Sequence, residues 1–460
     1  MILRFPVNPL QPDALDHGPS PLDRQGGQSR HGSRPRISRR ALLAAGGALA
    51  AGRLGIAAEG QPVKAAPTIL LKSGWQTVNI GDIAHTPGML ALLEKHIPEA
   101  RVVLWPIAVN DAVEKMLLTR FPRLTIAPRE LRTNKTPPDD AVRPLMEGCD
   151  FYLHGSGPNP MCQGQLRQWI RLTGKPFGFG GVTFPYLNDG LATMLSQARF
   201  IGCRETRSQR FLREKGIAEQ LVSFAPDAAF ACDVRDETKA RAFMQAHDLE
   251  PGRYACFVPR LRWTPFHKMD QWHTLSPEKI EETERVNAET GEKDHAKLRE
   301  AIVRWVRETG MKAVICPEMT YALDIIDPLV FDPLPADVKP KVVRRTSFWI
   351  TDEACSLYRH ARAMASIEMH SPILSLAQGV PAVHIRQPED TWKGQMWRDI
   401  GLEAWLVEID EASGAQIADT MLRIDADYPA AQAKVREATK RISDLQAALM
   451  ATLRQSLPPG

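Results

Sequence analysis

A chain of 460 residues exceeds what one compact domain holds, so two domains with appendages are expected. The net charge of +4 sits in the first 66 residues, which carry nine Lys/Arg against four Asp/Glu, while the remaining 49 basic and 50 acidic residues nearly cancel. A body without a basic field argues against a nucleic-acid binder, and seven dispersed cysteines with no CxxC and no Cys/His pair at zinc spacing argue against a disulfide framework and indicate no metal site.

Residues 1–37 are rich in Pro, Gly, Ser and Arg and read as a disordered lead. Residues 38–66 open on Ser38-Arg39-Arg40 before a weakly hydrophobic Ala/Gly/Leu run interrupted by Arg53. That run is too short and too mild to span a bilayer. It resembles a twin-arginine (Tat) export signal, which places the body in the periplasm or tethered to the inner membrane, with the translocation machinery as a partner. The competing reading is an Ala-rich linker on a cytoplasmic protein. No run in the body reaches membrane length.

The body alternates strands and helices. TILLKSG (68–74) is a strand, and TPGMLALLEKHIP (86–98) is a helix with one broad apolar face. ARVVLWPIA is a buried parallel strand, AVEKMLLTRFP a helix, CDFYLHGSGP a strand running into a Gly-rich loop, and QGQLRQWIRLTG a helix. KPFGFGGVTF, ARFIG and the short segment before Ala225-Pro226-Asp227 supply further strands. The pattern restarts after residue 250 with RYACFVPRLR, MKAVICPEM, the strand before Ser366, and PAVHIRQ. The expected fold is therefore α/β: two Rossmann-like, doubly wound domains at 67–235 and 250–405, facing a cleft. A polar insertion at 263–294 reads as a long functional or disordered loop before the helix HAKLREAIVRWVRETG. The tail, 406–460, carries Val435, Ala438, Ile442, Leu445 and Leu449 at helical spacing, the pattern of a helix docked on its own core.

In such sheets ligands bind beyond the carboxyl ends of the strands. The first exit carries Asn79, Gly81 and Asp82, readable as a ligand turn or as a plain turn with an aspartate cap. The third exit carries Gly155, Ser156 and Gly157, which can present backbone N–H groups to an anion. Arg204 and Ser208 follow another strand, and Asp227 a further one. In the second half Arg260 and Arg262 leave one strand, His370 and Ser371 another, and Lys393 lies downstream.

These pieces in this order resemble the polysaccharide pyruvyl transferases, which carry an Asn-x-Gly-Asp start, a Gly-rich loop, an Arg-Asp-x-x-Ser segment, a Pro-Asp pair and a His-Ser pair before Gly-x-Pro. Here they read Asn79-Ile80-Gly81-Asp82, Gly155-Ser156-Gly157, Arg204-Glu205-Thr206-Arg207-Ser208, Pro226-Asp227, and His370-Ser371 with Gly379-Val380-Pro381. The resemblance implies a GT-B-like architecture. It also implies transfer of a pyruvyl group from phosphoenolpyruvate to a sugar of a cell-envelope glycan as a ketal, with no cofactor. His370 becomes the general acid/base and Asp82 its helper, and the arginines hold the donor anions. Two positions depart from the pattern. Glu205 replaces an aspartate, which keeps the charge; Glu368 stands where the family has arginine two residues before the histidine, so either a neighbouring arginine, Arg260 or Arg262, offsets it or the site reads a neutral ligand in place of the anionic donor. The alternatives are an exported, non-catalytic glycan-binding protein on the same fold and a nucleotide-sugar glycosyltransferase.

Overall fold

The computed structural model describes residues 66–269, 275–390 and 392–458. The lead and signal readings fall outside these residues, apart from residue 66. No helix among the described residues is long and apolar enough to cross a membrane.

Two all-parallel sheets organise the body. The first has seven strands: β1 (Thr68–Lys72), β2 (Arg101–Trp105), β3 (Thr125–Ile126), β4 (Phe151–His154), β5 (Phe177–Val182), β6 (Ile201–Cys203) and β7 (Val222–Phe224), in the order β3-β2-β1-β4-β5-β6-β7. The second has six: β8 (Tyr254–Val258), β9 (Lys312–Ile315), β10 (Val342–Arg344), β11 (Ala363–Ser366), β12 (Ala382–Arg386) and β13 (Leu406–Glu408), in the order β10-β9-β8-β11-β12-β13. Each is Rossmann-like, with the strand order reversing beside β1 and β4 in one and beside β8 and β11 in the other. These central strands are buried along their whole length, as continuous apolar runs covered by helices on both faces require. All seven cysteines are unpaired, and six are buried.

Three features differ from the sequence reading. The polar segment at 263–294 is not a loop throughout, because most of it is the first half of a 33-residue helix, Pro277–Thr309. Ser276 caps that helix by accepting from the Lys279 N–H, Pro277 takes the first position where no donor is needed, and Arg285–Glu289 pairs one turn apart. Its weak apolar signal hid a polar face that is buried: Asn287 bonds Trp263 in both directions, and Asp294 holds Arg262. The second domain also extends past residue 405, because Leu406–Glu408 pairs with β12. Lastly, the helix Tyr428–Ser456 returns to the first half. Val435, Ala438, Ile442 and Leu449 are buried as expected of a docked stripe, but buried Gln446 takes a core place beside half-buried Leu445 and donates to the Asp227 carbonyl.

Candidate functional site at the meeting of the two sheets

The helix Ile80–His96 starts where β1 ends. Asn79 caps it, its Oδ1 accepting from the Gly81 and Asp82 N–H groups at 2.7 and 3.2 Å. The cap is therefore Asn79 and not Asp82, whose carboxylate is left to face the junction. The same turn is stitched to the second half. Ile80 N–H donates to the Glu318 carbonyl, Thr320 N–H to that of Val78, and Thr351 Oγ1 to that of Ile80. Gly81 is needed for this approach: a Cβ there would lie 2.1 Å from Cβ and Cγ of His370.

His370 opens the short helix His370–Ala377 after β11 and is 4% exposed. Its Nδ1 lies 3.2 Å from Oε1 of Glu318, a fully buried carboxyl that also accepts from the Ser371 N–H at 2.6 Å. Nε2 has no hydrogen-bond partner. Burial, reinforced by Lys393 and His85, holds the His370 imidazole well below its usual pKa, and burial raises that of Glu318. The ring is edge-on to His85, centroids 5.1 Å apart.

His85 mirrors this arrangement from the first half. Its Nδ1 sits 2.6 Å from Ser156 Oγ and 2.9 Å from Oδ1 of Asp227. Its Nε2 likewise lacks a hydrogen bond, and lies 3.7 Å from Oδ1 of Asp82. Burial alone would raise the Asp227 pKa, but His85 and Arg204 together hold it well below the carboxylate range. Sequence reasoning missed both His85 and Glu318. His85 follows Asp82 by one helical turn, and Glu318 leaves β9 as His370 leaves β11, so the strand-exit rule reaches both once applied to every exit.

Several expected ligand residues are structural instead. Arg204 is fully buried. It donates through Nη1 to Asp227 at 2.9 Å and through Nε and Nη2 to Thr183 Oγ1, so it braces Asp227 from below and is not open to a donor. Arg262 is gripped by both oxygens of Asp294, by Asp410 and by Glu389. Ser208 is buried, bonding the Phe184 N–H and Glu205. The Gly155 and Gly157 N–H groups donate to the Lys72 and Gly181 carbonyls, which spends them inside the fold and leaves them unavailable to an anion. Ser371 Oγ bonds Tyr358.

Arg260 and Lys393 remain near the junction. Arg260 pairs with Asp390 and lies 3.4 Å from Oε2 of Glu368. Of the two readings of Glu368, the contact with Arg260 favours pairing with a neighbouring arginine. Burial still pushes its carboxyl up to about 8, and its Oε1 has no partner. Burial and Arg260 lower the Lys393 ammonium to about 8. Both groups are thereby shifted towards neutrality from opposite sides, each to about 8.

The fold and this junction define a two-domain, GT-B-like α/β protein. Its architecture is similar to that of UDP-GlcNAc 2-epimerase from Neisseria meningitidis bound to UDP-GlcNAc (TM-score 0.50, 10% identity, covering 84% of this chain and 100% of that one). It is also similar to Anabaena Alr3699/HepE in complex with UDP-glucose (TM-score 0.50, 11% identity, covering 85% and 100%). At such identities the likeness is one of fold. Residues 79–387 match the polysaccharide pyruvyl transferase family, and the chain belongs to it. No curated protein matches the sequence. Family membership supports a polysaccharide-modifying transferase with a glycan acceptor.

Proposed function

We propose that the protein transfers a pyruvyl group from phosphoenolpyruvate to two hydroxyls of a cell-envelope glycan, forming a ketal and releasing phosphate. The supporting observation is His370, with Nδ1 held by Glu318 and an unpartnered Nε2 facing the junction. With the Nδ1 proton committed to Glu318, Nε2 is the free acceptor. It takes the proton of one acceptor hydroxyl as that oxygen bonds to the central carbon of the donor, and the donor methylene gains a proton to become methyl. The second hydroxyl then bonds to the same carbon, the carbon–oxygen bond to phosphate breaks, and phosphate leaves with the second proton. Asp82 orients the acceptor. Lys393 and Arg260 supply positive charge to the donor anions; Arg260 is paired with Asp390 and Glu368 but lies at the junction, whereas Arg204 and Arg262 are held in their own clusters.

The test is mass spectrometry of cell-envelope glycans incubated with the protein and phosphoenolpyruvate, alongside phosphate release. A pyruvate ketal on the glycan is expected, and His370→Gln should lower its rate by roughly 10²–10⁴-fold with the fold intact. Glycan binding with no phosphate released would leave a binding protein in place of the enzyme.

We further propose Tat export, on Arg39-Arg40 before the apolar run. Changing both arginines to lysine should retain a folded reporter fused to this leader inside the cell. Equal export of the double variant would remove the signal.

A further inference from the structure

Asp82, His85 and His370 each place one possible ligand atom within 4.8 Å of the other two, and they are the only group of three or more such side chains among the described residues to do so. Two come from one turn of the Ile80–His96 helix and the third from the second half. Both histidines share one arrangement. A buried carboxylate engages Nδ1, Asp227 for His85 and Glu318 for His370, and Nε2 is buried without a hydrogen bond. A histidine that binds metal through one nitrogen commonly donates its other N–H to a carboxylate, which fixes the ring and its tautomer. Two orphaned ring nitrogens near the Asp82 side chain form a donor set of two imidazoles and one carboxylate, suited to Zn²⁺ or its neighbours.

We propose that Asp82, His85 and His370 bind a divalent cation of the zinc class, and that the ion ties the two halves of the molecule together. Ligation at about 2.0–2.2 Å requires the three groups to draw in from their present spacing. Asp82 has room to do so, because only the Gln76 side chain and the edge of His85 engage its carboxylate. The inference is independent of the donor's identity, but it bears on the proton role given to His370: one lone pair serves a metal or a proton, not both at once. The metal-loaded form is therefore a state in which proton transfer through Nε2 is switched off.

The test uses the full-length chain, stripped with a chelator, then titrated with Zn²⁺ alone by calorimetry and with Co²⁺ alone by visible absorption. One tight equivalent is expected, with the Co²⁺ bands of a low-coordinate nitrogen/oxygen site. His370→Gln and Asp82→Asn should abolish the bands. Glu318→Gln keeps all three ligands and should weaken binding about 10–100-fold. Circular dichroism checks that each variant is folded, and Asp82→Asn, a near-isosteric change, keeps the test decisive if a histidine variant unfolds. Tight binding unchanged in folded Asp82→Asn and Glu318→Gln would place the metal elsewhere, and no binding by the wild type would also overturn the inference. If the metal binds here and accelerates pyruvyl transfer, the site stands and the proton role of His370 falls. If the stripped protein transfers pyruvate and binds no metal, the reverse holds.

Discussion

Two regions of this molecule hold charged side chains beyond strand ends, and they are opposites. Arg204 and Arg262 are each matched in full, Arg204 by buried Asp227 and Thr183 and Arg262 by buried Asp294 and the more exposed Asp410. At the junction, by contrast, His85, His370 and Glu368 each keep a buried polar atom without a partner. A buried charge already paired cannot be lent to a ligand without exposing its partner's desolvation cost. A buried atom left unpaired carries that cost in the resting protein and recovers it when something binds. Arginine, the residue type that advertises anion binding, is thus saturated at Arg204 and Arg262, while the unpartnered buried atoms at the junction include those of the two histidines and Glu368.

The sharpest way to break this contrast is Arg204→Met. Removing one member of a buried pair should destabilise the protein by about 3–5 kcal/mol, because Asp227 loses its guanidinium and keeps only His85 and hydrogen bonds such as that from the Ala229 N–H. Urea denaturation measures it. A stable variant with weakened affinity for phosphoenolpyruvate would instead return Arg204 to the binding site. Gly81→Ala should act next, at roughly 1–3 kcal/mol, because its Cβ would overlap the His370 ring and must push it away from the helix. Its diagnostic sign is a coupled loss: stability and turnover fall together, whereas the same change at Gly174, where a Cβ meets nothing within 4 Å but φ is +61°, costs stability through backbone strain and leaves turnover unchanged. Equal turnover in both variants would show that the His370 position tolerates displacement.

The same contrast explains what could be read from the sequence. The buried strands β1, β4, β5, β8, β11 and β12 announce themselves as apolar or small-residue runs between helices, so the doubled α/β plan and the location of the cleft are legible; β2 reads the same way, but only its last two residues, Leu104 and Trp105, are buried. β3, β10 and β13 are two or three residues long and carry no period. The first half of the Pro277–Thr309 helix is polar even on its buried face, so hydrophobic spacing misreads it as a loop. At the site, the strand-exit rule finds Asp82 and His370 but cannot tell a free arginine from a paired one. That distinction depends on Thr183, Asp294 and Asp410, which lie far away in sequence. Glu368 was legible as a departure, and its partner Arg260 was legible as the neighbouring exit, because β8 and β11 are adjacent in the second sheet.

Glu368 also offers the finest test, since it belongs to the junction yet has an arginine beside it. Arg260, Lys393, Glu318, Asp82 and Tyr321 all act on this carboxyl, and burial prevails, pushing its pKa up to about 8. In the unfolded chain it titrates near 4.5. Between those values the folded protein holds a proton that the unfolded chain has released. Stability from this group is therefore fully present below about pH 4.5 and is lost as pH rises towards 8. Glu368→Gln removes that dependence but also ends the pairing with Arg260. The net expectation is that the variant gains on the wild type by up to roughly 4 kcal/mol between pH 5 and pH 8.5 in urea melts, at about 1.4 kcal/mol per pH unit while the folded carboxyl stays protonated. A constant difference across that window would mean that Arg260 keeps the carboxylate ionised throughout. Glu368 would then belong with the saturated arginine clusters, and the junction would reduce to the two histidines and Asp82.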